Sequence, residues 1–457
     1  MSGIIRPMLA LDTFLREHLD AYIAETARLC AQPSVSARQE GVRECAALVR
    51  EILEAHGLEV QVFETPGSPV LIGRARGASD RTLLFYNHYD VQPPEPLELW
   101  TTPPYTPTVR DGALYARGAK DDKGELIARL AALDAVRAAH GGALPCGVTF
   151  CVEGEEEIGS PHIAPFVLEH LDLLRSDASI WEEGGIDQDG RPGTSLGRRG
   201  VMGVELSVTT LGRDAHSGGA HIFPNAAWRL LRALATLKGP DEHILIPGFY
   251  DRALPPSALD RELLAALPDR EAFLREEFGV REFVGGLHGQ DLESAVFNPT
   301  CNIQGLTAGY QGQGMKTVIP ARASAKLDFR LVPEQDPDDI FARLRAHLDE
   351  QGFADLTLTR YGSMWPDKAS ADDPFITLAA RTGEEVYGQR YQLMPLVGGS
   401  SPVYAFARPL GGIPVVAAGV GFGISNRTHS PDEHVRLVDF LNGARHIARI
   451  LDGFAEL

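Results

Sequence analysis

The chain of 457 residues is predicted to fold as an α/β domain interrupted by an inserted α+β domain. Three observations carry that expectation. Strand and helix patterns alternate up to about residue 198, a β-α-β-β-α-β run follows from about Gly200, and the α/β alternation resumes after "GSMWP". Alternation marks a layered α/β domain, and the order of the middle run is the ferredoxin-like one. The expected division is therefore 1–198 and 367–457 for the interrupted domain and 199–366 for the insert.

In the first part, Val42, Cys45, Leu48, Val49, Ile52 and Leu53 recur at helical spacing, and Gly57 is placed to stop that helix. "LEVQVFE" and "TLLFYNHYDV" read as strands, and a helix is expected from about Lys123 to His140, ended by Gly141-Gly142. "GVTFCVEGEEE" reads as the next strand and "PHIAPFVLEHLDLL" as the next helix. In the insert, "VELSVTTL", "TCNIQGLTAG", "ASAKLDFRLV" and "ADLTLTRYG" are strand patterns, while "NAAWRLLRALATL" and "DPDDIFARLRAHLDEQ" are helical. A segment from about Pro240 to Glu293 lies inside this run and is expected to be mostly helical. The third part gives two helices ("DPFITLAARTGEEVYG", "SPVYAFA"), the strand "IPVVAAG" and a last helix near the end.

With 44% hydrophobic and 23% charged residues the composition is that of a globular protein. A net charge of −19 argues against nucleic acid or an anionic membrane surface as partner, since either demands a basic face. No apolar run reaches bilayer-spanning length, and the N-terminal stretch lacks a secretory leader pattern, so a cytoplasmic protein is expected. Five cysteines without a C-x-x-C pair read as buried thiols of a reducing compartment. The glycines of "AGVGFG" lack the G-x-G-x-x-G spacing of a dinucleotide site.

Acidic and histidine residues gather at element ends of the interrupted domain. They are His88 and Asp90 in "NHYDVQP", Asp121 and Asp122 in "ARGAKDDKG", Glu153 and Glu155–Glu157 in "EGEEEIGS", Glu182 and Glu183 in "SIWEEGG", and His429 in "NRTHSPDEH". Singly, each has an ordinary explanation as a helix cap, a solvated charge run or a loop histidine. Together they do not, because consecutive carboxylates ending an apolar strand repel one another unless a cation compensates them. Two histidines with several carboxylates form a nitrogen/oxygen set suited to zinc, with enough ligands for two ions.

"HYDVQP", "ARGAKDDKG", "EGEEEIGS" and "THSPDE" resemble the motif blocks of the co-catalytic zinc peptidase family. That family holds carnosinases and related dipeptidases, aminoacylases, acetylornithine deacetylases, succinyl-diaminopimelate desuccinylases and glutamate carboxypeptidases. The likeness covers nearly the whole chain in block order, and implies a catalytic domain with a mixed sheet flanked by helices and an inserted ferredoxin-like lid and dimerisation domain. It implies that His88 binds one ion and His429 the other, with Asp121 bridging them through a cis peptide to Asp122. Glu157 and Glu182 would each ligate one ion, with Glu183 as second choice to Glu182. Asp90 would hydrogen-bond His88, and Glu156 would be the general base acting on a metal-bridging hydroxide.

From the insert, His216 in "GRDAHSGG" resembles the histidine that contacts the reacting carbonyl, often from the partner subunit of a homodimer. Arg330, with Thr317 nearby, would grip a substrate carboxylate, helped by the loop carrying Gly399 and Ser400. The expected cofactors are two divalent ions, zinc first, with manganese or cobalt also suited to such ligands. The expected substrate is a dipeptide or small peptide with a free C-terminal carboxylate, and an N-acyl amino acid is the alternative. "RYGSMWP", with Tyr361 and Trp365, stands where carnosinases lead one to expect a histidine-containing segment, which argues against carnosine itself.

Overall fold

The computed structural model describes residues 2–457. The chain divides into two compact units, Met1–Leu196 with Ala369–Met394 and Ala405–Leu457, and Gly197–Lys368 with Pro395–Tyr404. The stretch 395–404 had been expected in the interrupted domain. It belongs to the second unit because Val397 N donates to Gly197 O and Arg199 N to the carbonyls of Val397 and Gly399.

The first unit is built on a mixed six-stranded sheet, in the order Glu59–Phe63, Val70–Ala75, Gly147–Glu153, Thr82–His88, Ala178–Trp181, Val415–Ala417. The first two pairings are antiparallel and the remaining three parallel. Gly147–Glu153 is buried throughout and Thr82–His88 from Leu83 onward, which is why both read as continuous apolar runs rather than alternating ones. Helices Ser2–Cys30, Lys123–Ala139, Pro374–Tyr387 and Leu437–Phe454 pack against one another. Parallel strands Thr82–His88, Gly147–Glu153 and Ala178–Trp181 thus bring their carboxyl ends together, as open α/β sheets do at reactive sites.

Several sequence expectations are corrected. The strand "TLLFYNHYDV" ends at His88, so Asp90 lies in the loop beyond it. The helix expected over "PHIAPFVLEHLDLL" is two short helices divided at His170. Helix Ser2–Cys30 and strand Val70–Ala75 had no counterpart in the sequence reading. In that helix Leu11, Leu15, Tyr22, Thr26 and Leu29 are buried at helical spacing, and the buried threonine interrupts the apolar signal.

The second unit holds a four-stranded antiparallel sheet, ordered Thr300–Ala308, Arg322–Leu331, Gly200–Thr209, Thr357–Met364. Met202, Val204, Leu206 and Val208, two residues apart, bury one face against Leu230 and Ala233 of helix Ala226–Leu234 and Leu344 and Leu348 of helix Pro337–Glu350. Asn225 and Asp336 cap these helices through their side chains. Segment 240–293 is not mostly helical: it holds the short helices Ala258–Ala265, Glu271–Phe278 and Asp291–Ser294 among turns. Pro268 follows the first of these helices and Gly279, with positive φ, ends the second. Among the described residues, no helix is long and apolar enough to cross a membrane.

Candidate metal centre

His88 ends its strand with its imidazole buried and pinned from behind. Nδ1 lies 3.0 Å from the Asp90 carbonyl oxygen and 3.3 Å from Asp90 Oδ1. A carbonyl oxygen only accepts, so the proton of the neutral ring sits on Nδ1 and the lone pair on Nε2. Nε2 faces Asp121 Oδ1 at 3.0 Å and Glu182 Oε2 at 3.9 Å. On the other side of Asp121, His429 Nε2 lies 3.0 Å from Oδ2 and 3.1 Å from Glu157 Oε2. One ligand atom each from Asp121, Glu157 and His429 falls within 4.8 Å of the others.

Buried partners hold this arrangement. The Asp90 carboxylate is turned mainly toward the next loop, accepting the N–H groups of Glu156 at 3.2 Å and Glu157 at 3.0 Å. It therefore sets the single helical turn Glu156–Ile158 as well as the His88 ring. Asp122 begins helix Lys123–Ala139, accepts from His88 N at 3.0 Å and Asn87 Nδ2 at 2.6 Å, and its peptide bond to Asp121 is cis. Arg129, fully buried on the same helix, donates to the carbonyls of Tyr86 and Trp181. It thus ties together the strand ends that lead to His88 and Glu182. His429 has φ +61° in a loop where Arg427 and Asp432 also have positive φ. Asp432 anchors the loop by accepting from Thr101 N at 2.9 Å and Thr101 Oγ1 at 2.7 Å.

The donor set fits a pair of cations. Glu182 is buried, and its Oε2 has no hydrogen-bond partner although it points at His88. Burial, followed by the Glu156 carboxylate, raises the Glu182 carboxyl well above its ordinary range. Burial also pushes the Glu156 carboxyl up to about 7, with the Glu157, Asp121 and Asp90 charges adding to the rise against the pull of His88. Carboxylates crowded and desolvated in this way are stable as anions only beside positive charge. Of the adjacent pair, Glu182 faces the cluster, whereas Glu183 is exposed with φ +72°.

A family model described as Peptidase family M20/M25/M40 matches residues 84–453. The chain belongs to that peptidase family. Membership makes it a hydrolase of peptide bonds. It is 27% identical over 393 residues to the Beta-Ala-His dipeptidase of Mus musculus, covering 84% of this chain and 79% of that one. It is 26% identical over 456 residues to the Cys-Gly metallodipeptidase of Schizosaccharomyces pombe, covering 93% and 94%. A solved M20 family metallo-carboxypeptidase from Sulfolobus solfataricus is 33% identical with a TM-score of 0.84, covering 95% of this chain and 99% of that one.

The remaining predicted residues lie in the second unit of this M20 chain, at two places. His216 Nδ1 accepts the Gly218 N–H at 3.0 Å, so in the neutral ring Nε2 carries the proton and is a donor; it lies 3.4 Å from Thr317 Oγ1. Thr317 was expected near Arg330. It instead precedes the short strand Val318–Ile319, which pairs with Ala215–His216. Arg330 sits near the far end of Arg322–Leu331, where Nη1 donates to Ser400 Oγ at 2.9 Å. Eight residues of strand, about 26 Å, separate Arg330 from the end nearer Thr317. Gly399 accepts Arg199 N at 3.0 Å through its carbonyl.

Glu433 had no role in the sequence reading, although it stands four residues after His429 in the "THSPDE" block. It is fully buried and accepts from Arg117 Nη1 at 2.7 Å and from the N–H groups of Gly118, Lys120 and Asp121 at 3.0 Å each. A single carboxylate thus shapes the loop that delivers Asp121. The available signal was a motif acid with no assigned partner.

Proposed function

We propose that this chain is a dinuclear metal-dependent dipeptidase acting on dipeptides or small peptides with a free C-terminal carboxylate. The observation that carries the reading is the convergence of His88, Asp121, Glu157, Glu182 and His429 around desolvated carboxylates. In this reading His88 and Glu182 would hold one divalent ion, His429 and Glu157 would hold the second, and Asp121 would be shared between them. The ions, zinc first among candidates, supply Lewis acidity and an acidified water when bound.

Glu156 is the general base. Its carboxylate, placed by the turn that also carries Glu157, takes the proton and returns it to the leaving amine. Asp90 is a positioning residue, fixing the His88 tautomer and the Glu156–Glu157 turn together. His216, with Nε2–H as donor, polarises the substrate carbonyl, and Arg330 with the Gly399–Ser400 loop receives the carboxylate. Ile222, Phe223, Trp228 and Leu231 are exposed beside His216 and along helix Ala226–Leu234, which supports a homodimer formed through the second unit. Five buried free cysteines support a reducing, cytoplasmic location.

The test is a panel of dipeptides beside N-acetyl and N-succinyl amino acids, each with added zinc, manganese or cobalt. Dipeptides are expected to be turned over with the higher kcat/KM. Preference for the N-acyl substrates would replace this reading with the deacylase one.

A further inference from the structure

At the opposite end of the first unit's sheet lies a cleft of about 810 Å³. It is lined where strands Thr82–His88 and Gly147–Glu153 begin, including Thr82, Gly147 and Thr149. The paired strands run from Thr82 beside Gly147 to His88 beside Glu153, so about 20 Å of strand separates the cleft from the acidic centre. The volume is that of a small-molecule pocket.

Its lining is unusual for a chain of net charge −19, because it gathers Arg74, Arg76, Arg137 and Arg175. Elsewhere arginines have found acids: Arg28 with Glu51, Arg43 with Glu64 and Arg270 with Glu293. Among the described residues, Arg74, Arg76 and Arg175 make no ion pair and no side-chain hydrogen bond, although Glu59, Asp80 and Asp172 also line the cleft. Glu59 is even the cross-strand partner of Arg74. Arg137 is held in place, donating to His56 O at 2.8 Å and Asp134 Oδ1 at 3.2 Å. Gly57, with φ +73°, lies against its guanidinium. Ser79 Oγ is buried at the cleft with no hydrogen-bond partner.

From these observations we infer that the cleft binds a small multivalent oxyanion, carrying two or more phosphate or carboxylate groups, at a site separate from the peptidase centre. Guanidinium forks match such oxyanions bidentately, and several around one cleft select for multiple charges. The inference does not depend on the peptidase reading, because none of these residues belongs to the acidic centre.

The test is calorimetric titration of the metal-loaded protein with pyrophosphate and, separately, citrate, in wild type and in the Arg74→Gln/Arg175→Gln variant. Pyrophosphate or citrate is expected to bind wild type, and the arm that binds more tightly identifies the anion class. The variant should bind at least 10-fold more weakly while peptide turnover stays within 2-fold. Unchanged affinity in the variant would assign the binding to the metal centre and overturn the site, as would absence of binding in both arms. If the variant fails to fold, the wild-type protein is labelled with an arginine-selective dicarbonyl and mapped by mass spectrometry. Protection of Arg74 and Arg175 by the anion supports the site, and equal labelling with and without it sinks the idea.

Discussion

The acidic centre of the first unit and the residues of the second proposed to meet the substrate are built on different terms. In the first, buried neighbours hold the His88 ring and the backbone that carries Glu156, Glu157 and Asp121: Asp90 the ring and the Glu156–Glu157 turn, and Glu433 the Asp121 loop. In the second, His216 and Thr317 are exposed and meet only at 3.4 Å, and half-buried Arg330 has Ser400 Oγ at 2.9 Å and Asp328 Oδ2 at 3.6 Å. The contrast teaches that the proposed metal ligands are held largely by buried backbone contacts, while the residues proposed to meet the substrate are left adjustable.

The comparison is broken most sharply at the base. Glu156→Gln removes proton transfer without removing a ligand, so turnover should fall by about 10³-fold while bound metal stays at the wild-type level. Near wild-type turnover would remove Glu156 from its role. His216→Ala, by contrast, deletes one exposed donor, and kcat should drop by about 10²-fold with unchanged metal content and stability. Mixing it with a Glu156→Gln protein should restore part of the activity if the two units of a site come from different subunits; no recovery would argue for a site within one chain.

Glu433→Gln tests the frame itself. It leaves Arg117 buried without its charge partner, a loss on the order of 3 kcal/mol in stability, and should lower metal occupancy through the Asp121 loop. Denaturation midpoints and metal analysis read this, and a variant matching wild type in both would show that the loop holds itself. Arg330→Lys should raise KM by roughly 10-fold with a smaller change in kcat, since a point charge replaces a planar fork. Equal loss in kcat would place Arg330 in the chemistry instead.

The smallest effect concerns pH, at a histidine outside the acidic centre. His56 is buried, which lowers its pKa, but hydrogen bonds to Asp134 at 2.6 Å and Glu25 at 3.0 Å outweigh this and raise it to about 9. A pKa raised on folding adds stability that is complete below about 6.5 and lost as pH rises through about 9. Denaturation midpoints should therefore decline between pH 7 and 10 in wild type, and less steeply in His56→Gln. Parallel slopes would show that His56 does not carry the dependence.

The α/β alternation, the ferredoxin-like order and the acidic blocks were legible in the linear chain, because strand and helix periods and turn residues are local signals. Membership of the peptidase family follows the same blocks in their order. Helix Ser2–Cys30 escaped because a buried threonine interrupts its apolar stripe, and Val70–Ala75 because a short glycine-containing run gives a weak strand signal. Residue spacing offered Asp90 only as a same-side neighbour of His88, and it left Glu182 and Glu183 equivalent. Tertiary structure separated each of these: Asp90 reaches back from a loop, Glu182 turns inward, and Glu183 faces solvent. It also moved Thr317 away from Arg330 and gave Glu433 four donors from a loop more than 300 positions earlier in the chain. Sequence by itself determined which chemistry-bearing residues exist and which elements they end. Only the fold decided which atoms face one another, because burial and hydrogen bonding between distant segments leave no periodic trace along the chain.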